Sequence, residues 1–185
     1  FGNSLDLPGV GHVQTDSDKI ALSRDFTISL WAKIGEDANG ILARNGQFSL
    51  QYHDDNTIRA YVRTGNAWRV ARSRSIFGRW AHHAMTYDGV EVSLFLEGKK
   101  VASAPATGFL QWGDGADHTL YLGNYTLGGD WLAKTMLDDF RVYVRALSEV
   151  EISAIYNGGT GDAGLLPRFS GASPVASNPF PITAN

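Results

Sequence analysis

Apolar and polar residues alternate along most of this chain, which is the pattern of strands that place one face on a core. The clearest case runs from Arg79 to Gly98, where Asp88-Gly89 separates two alternating segments. Asp-Gly tolerates the positive φ of a tight hairpin turn. In the returning segment Phe95 shares its parity with two carboxylates, which predicts a face that meets water. The opposite parity is wholly aliphatic and predicts a core face: Val90, Val92, Leu94 and Leu96.

The same alternation predicts strands over most of the remaining sequence. Within Asp25–Ile34 the aliphatic residues share one face and Trp31 lies on the other. Within Thr135–Val144 one parity holds Asp138 among apolar residues, and such a broken rule is typical of a special site. The other predicted strands are two short ones within Ser4–Val13, then Gly40–Ala43, Gln47–His53, Thr57–Val62, Ala67–Ser73, Lys99–Ala104 and His118–Gly123.

One helix is predicted near the end of this pattern, and a different composition follows it. Ser148 and Glu151 form a capping box, and Asn157-Gly158 supplies the stop. We therefore predict a domain over residues 1–157. Residues 158–185 are rich in Pro, Gly and Ser, which excludes a helix or a central strand. This tail is either a linker or an extended arm that docks on this domain or on a neighbour.

Composition and charge narrow the class of protein. A chain of 185 residues with 43% hydrophobic residues is one globular domain, and 21 glycines suit many short strands joined by turns. The net charge of −3 argues against a protein built to bind nucleic acid, although Arg63 to Arg79 is locally basic, which we interpret as a solvated sheet face. Cysteine is absent, so disulfides and thiolate metal sites are excluded. No apolar run is long enough to span a bilayer.

The sequence contains little that indicates a catalytic site. Glycosidases need paired carboxylates, but Glu91 and Glu97 are separated by Ser93 and Phe95 and read as a solvated strand. His82 and His83 are adjacent in a strand and point to opposite faces, so they do not suggest a metal pair. No nucleophile motif or phosphate-binding loop occurs. We therefore expect a protein that is not an enzyme.

Aromatic residues in glycine-rich loops are the best candidates for ligand contacts. Exposed rings stack on sugars, and amide or charged groups satisfy the hydroxyls, although loop aromatics also pack down as lids. The candidates lie in the loops 109–115 and 124–131 and at the start of one strand: Trp112, Trp131, Tyr125, Asn124, Trp68 and Arg69.

Several blocks of the sequence resemble the laminin-G-like, concanavalin A-like lectin-glucanase domains, from about Ser4 to Tyr156. The blocks are DFTISLWAK, GRWAH with TYDG, LFLEG, LYLGN, LDDFRVY and RALS. The resemblance implies an all-β, two-sheet antiparallel sandwich of jelly-roll type, with one short C-terminal helix and the extended tail outside it. It also implies an extracellular or cell-surface module that binds carbohydrate, glycosaminoglycan or protein.

The resemblance further implies a calcium ion held by the Asp138 carboxylate and an early loop. The early block often reads Phe-Asp-Gly, whereas Leu7-Pro8-Gly9 stands here, so Asp6 or backbone carbonyls would have to replace the missing carboxylate. We therefore predict a secreted, non-catalytic module that binds a polysaccharide or glycan, with a structural calcium as an open expectation. The alternative is a structural or adhesive protein that self-assembles through its C-terminal arm and edge strands.

Overall fold

The computed structural model describes residues 4–8, 12–16, 22, 24–35, 39–113, 119–123, 134–158 and 183–184. Over these residues the chain forms two antiparallel sheets and one short helix, which confirms the predicted β-sandwich of jelly-roll type. The described part contains no helix that is long and apolar enough to cross a membrane. Most of the predicted tail lies outside the described residues, so the predicted domain boundary stays a prediction.

The first sheet has six strands, and the central hairpin forms its middle as predicted. In spatial order its strands are β1 (Leu5–Pro8), β12 (Lys134–Tyr143), β3 (Phe26–Ile34), β8 (Trp80–Tyr87), β9 (Glu91–Leu96) and β10 (Lys99–Pro105).

The second sheet has seven strands, of which the last in sequence is very short. In spatial order its strands are β13 (Thr183–Ala184), β2 (Val13–Asp16), β11 (Thr119–Leu122), β4 (Gly40–Arg44), β5 (Phe48–Tyr52), β6 (Thr57–Thr64) and β7 (Ala67–Arg74). Strand β13 lies against β2, with Thr183 opposite Gln14 and Ala184 opposite Val13. Among the described residues, 183–184 thus form the outermost strand of this sheet.

The main core lies between the two sheets. The aliphatic row of β3 is fully buried, and Trp31 on the other parity is only half-buried, as the alternation predicts. The two sheets meet directly where the rings of Phe26 and Phe48 lie 5.2 Å apart. Burial of this apolar surface is the main source of the sandwich's stability.

A second, smaller core lies on the outer side of the six-stranded sheet under the helix α1 (Glu149–Tyr156). Ser148 and Glu151 form the predicted capping box at its start. The buried residues of this cluster are Ala84, Phe95, Tyr143, Leu147, Ile152 and Ile155. The prediction that Phe95 faces water is therefore wrong, because the helix covers this part of the sheet and leaves only 2% of Phe95 exposed.

A β-bulge in β12 overturns the predicted position of Asp138 in an apolar row. Asp138 lies opposite Trp31, and Arg141 lies opposite Ser29. The two residues between Asp138 and Arg141 in β12 therefore lie opposite the single residue between Trp31 and Ser29 in β3. Asp139 takes a positive φ of 51° there. The extra residue reverses the inward and outward parity. As a result Leu137 faces the main core before the bulge, and Val142 faces it afterwards.

Val90 is another departure from the predicted alternation. Its side chain is 57% exposed, although the parity of β9 predicts burial. Val90 belongs to the turn, because the Asp88 carboxylate accepts hydrogen bonds from the backbone N–H groups of Val90 and Glu91 at 2.9 and 2.7 Å. The strand therefore begins at Glu91.

Candidate ligand-binding face

The outer face of the six-stranded sheet is largely occupied by α1. The Tyr156 ring at the end of the helix stacks on Trp31 with centroids 5.7 Å apart. The Tyr156 hydroxyl lies 3.4 Å from the Glu97 carboxylate, which also accepts the backbone N–H of His82 at 2.9 Å. These contacts anchor the helix and leave little room there for a ligand.

The Ser29–His82 pair beside this helix does not form a hydrolytic site. Ser29 Oγ lies 2.9 Å from His82 Nε2, a distance that a nucleophile and its base would need. Both residues are buried, and His82 Nδ1 has no hydrogen-bond partner among the described residues. A general base needs a third group to orient its imidazole, and the nucleophile must reach the substrate. The pair therefore reads as part of the small core.

The seven-stranded sheet presents a different outer face, formed by β5, β6 and β7. Burial alternates strictly along β6: the inward residues are buried, and the outward ones are half-buried. The outward residues are all polar or aromatic: Thr57, Arg59, Tyr61 and Arg63. On the edge strand β7 the residues opposite them are Arg74, Arg72, Val70 and Trp68. We call this surface the β5–β7 face.

Aromatic rings form a short row across the β5–β7 face. The Trp68 ring stands edge-on to Tyr61, with centroids 6.3 Å apart and an interplanar angle of 87°. The Tyr61 ring lies 6.4 Å from that of His53 on its other side. Trp68 is 38% exposed, so part of its ring is open to a ligand. Among the described residues, no helix or strand packs over this surface.

Arg59 is held firmly in the middle of the β5–β7 face. Its Nε donates to Thr57 Oγ1 at 3.0 Å, and its Nη1 donates to the Tyr61 hydroxyl at 3.4 Å. Its Nη2 forms an ion pair with Asp55, four residues earlier. Burial, followed by the positive charge of Arg59, lowers the pKa of His53. The site therefore combines fixed positive charge with aromatic surface.

The sequence-predicted ligand residues fall into three groups. Trp68 lies on the β5–β7 face, but Arg69 pairs with the buried Val62 and has the opposite parity, so the two side chains leave β7 in opposite directions. Trp112 is half-buried in a neighbouring loop. Asn124, Tyr125 and Trp131 lie outside the described residues, and their predicted role stays a prediction.

The loop that contains Trp112 is tied to the same end of the sheet. The backbone N–H of Gln111 donates to the Arg63 carbonyl at 2.9 Å, and that of Gly113 donates to the Gly46 carbonyl at 3.1 Å. The Gln111 side chain accepts the N–H of Asn66 in the β6–β7 turn at 2.7 Å. These bonds position Trp112 beside the end of the β5–β7 face.

The two predicted calcium ligands lie on neighbouring strands, on the outer side of the six-stranded sheet. Asp6 pairs with Met136 in β1 and β12, and Asp138 follows two residues later. Asp138 Oδ1 already accepts the backbone N–H of Asp139 at 2.8 Å. Within the described part of the chain, no group of three or more acidic, histidine or cysteine residues could hold a metal. Two carboxylates fall short of the six to eight oxygens that calcium prefers, so the described residues do not form a full ligand set.

Sequence reasoning missed the contribution of Arg59, Tyr61 and Arg72 to the candidate site. A usable signal was present, because positions 56 to 87 contain six arginines and no acidic residue. Alternation within β6 and β7 then places four of those arginines on one outward face: Arg59, Arg63, Arg72 and Arg74.

Several solved structures have a similar fold. The receptor-binding domain of a botulinum neurotoxin C/D mosaic serotype superposes with a TM-score of 0.67 at 14% identity, over 85% of this chain and 43% of that one. The binding domain of botulinum neurotoxin DC in complex with SialylT gives 0.63 at 14% identity, over 85% and 44%. A heptameric SAP-like pentraxin from Limulus polyphemus gives 0.64 at 16% identity, over 98% and 93%.

The chain spans less than half of the length of the botulinum neurotoxin domains that it matches. No curated protein matches it. At these identities the structural likeness shows the fold alone. A family model described as the concanavalin A-like lectin/glucanases superfamily matches residues 7–153, which is most of the chain. This protein is therefore a laminin-G-like member of the concanavalin A-like lectin/glucanase superfamily.

Proposed function

We propose that the protein is a non-catalytic, extracellular module that binds carbohydrate on the β5–β7 face. The observation that supports this most directly is the partly exposed Trp68 ring beside Tyr61, on a sheet surface that no described element covers. Sugar rings stack on such aromatic surfaces, and the surrounding arginines, with Gln51 opposite Arg59, can satisfy hydroxyl groups. A relative of the same fold has been solved in complex with SialylT, which agrees with this proposal.

The test is glycan binding by the wild type and by Trp68→Ala, first on an array and then by calorimetry. We expect the substitution to weaken binding about five- to thirtyfold, since losing a stacking contact costs on the order of 1–2 kcal/mol. Trp112→Ala tests whether the neighbouring loop extends the site. Trp80→Ala is the matched control, because Trp80 is a half-buried tryptophan on the other sheet. Equal affinity of the wild type and Trp68→Ala for every bound glycan would contradict the proposed site.

A binding module should return its ligand unchanged. Mass spectrometry of the bound oligosaccharide after prolonged incubation is expected to show no shortened product. Hydrolysis that disappears in a single Glu or Asp variant would instead establish an enzyme.

A second candidate function is self-assembly, favoured by the pairing of β13 with β2. The short strand satisfies the edge of β2 through an antiparallel register at Gln14 and Val13. A segment that adds a strand within its own chain can add it to another copy instead. Light scattering on the full chain and on a chain cut after Gly158 tests this. Assembly that disappears on cutting supports it, and monomers in both cases would contradict it.

A further inference from the structure

On the basis of the proposed carbohydrate site, we propose that its ligand is an anionic polysaccharide whose carboxylate or sulfate groups are read by Arg72 and Arg74. Together with Arg59 these two residues form what we call the arginine cluster. All three project from the outward face of β6 and β7. Three features support this assignment: the register of the three arginines, the absence of internal partners for Arg72 and Arg74 among the described residues, and the neighbouring aromatic row.

The register brings two positive charges directly opposite each other. Arg59 on β6 pairs with Arg72 on β7, and Arg74 lies two residues further along the same face. Facing side chains in an antiparallel pair have Cβ atoms about 5 Å apart, and like charges there are destabilising. Residues two apart on a strand are separated by about 7 Å. A ligand with negative groups would relieve the repulsion and bridge these positions.

The acidic side chain next to the arginine cluster, Asp55, already has partners within the protein. Asp55 forms its ion pair with Arg59 and also accepts the Thr57 backbone N–H at 3.2 Å. Within the described residues, the guanidinium groups of Arg72 and Arg74 make no hydrogen bond or ion pair, and both residues are exposed. A guanidinium group presents a planar fork of donors that matches carboxylate and sulfate oxygens. Both are therefore free to bind a ligand.

The cluster continues directly into the aromatic row. Along β7 the outward order is Trp68, Val70, Arg72 and Arg74, and Val70 lies opposite Tyr61. Trp68 and Arg72 are four residues apart, a span of about 14 Å along the strand. An extended acidic saccharide can therefore stack a ring on Trp68 while its charged groups reach the arginines. Charged residues on an edge strand also discourage pairing between chains. Charges of either sign would serve that purpose, so it does not explain why the charges on both strands are positive.

The experiment compares pairs of polymers that share a backbone and differ in charge. Polygalacturonate and its methyl ester isolate the carboxylate, while dextran sulfate and dextran isolate the sulfate. We expect the charged member of at least one pair to bind much more tightly, and to bind less tightly as salt rises. The polymer pair whose charged and neutral members differ in affinity identifies the anionic group as a carboxylate or a sulfate.

The double variant Arg72→Gln/Arg74→Gln is expected to weaken binding of the charged polymer about tenfold or more for each arginine removed. The matched control is Lys33→Gln/Lys134→Gln, which removes the same charge from exposed positions on the six-stranded sheet and should bind as the wild type does. Without ligand, Arg72→Gln should keep or slightly raise the melting temperature, because it removes the repulsion from Arg59.

The outcomes separate this inference from the proposed function. Equal binding of charged and neutral polymers, with Trp68→Ala weakened and the arginine double variant unchanged, overturns the inference and leaves the carbohydrate site standing. Binding of no glycan at all overturns both. Equal losses in the arginine and lysine double variants would show that only net charge matters. Tighter binding of a single-stranded oligonucleotide than of either charged polymer would replace the saccharide with a phosphate polymer.

Discussion

Mild acid should destabilise this protein through two buried histidines on β8. His83 lies in the main core, with Leu30 and Leu96 on the neighbouring strands opposite it. Its Nδ1 lies 3.0 Å from the Ala81 carbonyl oxygen and must donate there, because a carbonyl oxygen can only accept a hydrogen bond. In the neutral ring the proton is therefore on Nδ1, and Nε2 is an acceptor that has no hydrogen-bond partner among the described residues. His82 is equally buried under α1. Protonation would place a charge in each apolar site.

The magnitude follows from the two pKa values. Burial is the main cause that lowers the pKa of His82 and of His83 from 6.5 to about 4. For His82 the carboxylates of Asp139 and Glu97 partly oppose this effect and the Arg141 charge adds to it. For His83 the charges of His82 and Arg79 also lower the pKa, while Glu97 raises it.

Because each folded-state pKa lies below the unfolded value, the stabilising contribution is complete above about pH 6.5. It is lost as the pH falls from 6.5 towards 4. A shift of that size is worth about 3 kcal/mol per histidine in full, and about 2 kcal/mol is already lost at pH 5. Whole domains are stable by only about 5–15 kcal/mol, so the effect is large.

The assay is the free energy of unfolding in urea at pH 7.5, 6 and 5, for the wild type and for His83→Leu. Leucine fills a similar volume between Leu30 and Leu96 and cannot be protonated. We expect the loss between pH 7.5 and 5 to shrink by about 2 kcal/mol in the variant. Measurements stop at pH 5, since the pKa of Glu151 is held at about 2 chiefly by its hydrogen bond with Arg145 and its contribution is lost below that range. An unchanged pH dependence in His83→Leu would refute the reasoning.

Three further outcomes follow from local features. Ser148→Ala should lower the free energy of unfolding by about 1 kcal/mol, measured in urea, because it removes the cap of α1; no loss would mean that the helix is held by packing alone. Gly40→Ala should cost about 1–3 kcal/mol in the same assay, since its Cβ would overlap the ring and hydroxyl of the buried Tyr52; a neutral result would show that Tyr52 moves easily. If the predicted calcium site exists, calcium should raise the melting temperature of the wild type but not of Asp138→Asn; calorimetry without heat of binding would count against it.

Local sequence patterns predict much of the fold. Alternation along β3, the Asp88-Gly89 turn and the capping box at Ser148 each act over a few residues, and the structure confirms all three. The errors arise where a distant element decides the environment. Phe95 is buried because a helix more than fifty residues later covers it, and no pattern inside β9 reports that contact.

The candidate site was only partly predictable for the same reason. Trp68 stands out as an aromatic residue near a glycine turn, but its neighbours on the face become visible only with the register of β6 and β7. Tyr61 has an ordinary place in an alternating strand, and Arg69 is next to Trp68 in sequence yet points away from it. Cross-strand partners are set by register, which single-strand patterns do not specify.

The bulge at Asp139 has a consequence for how this chain tolerates changes of length. Removing that one residue would restore regular alternation through β12 with both Leu137 and Val142 still facing the core, whereas removing a residue from a regular part of the strand would turn the residues on one side of the deletion from the core to the outside. A deletion at Asp139 should therefore be tolerated far better than a deletion elsewhere in β12. Relatives without the bulge would align with this chain across β12 only when a one-residue gap is placed at Asp139.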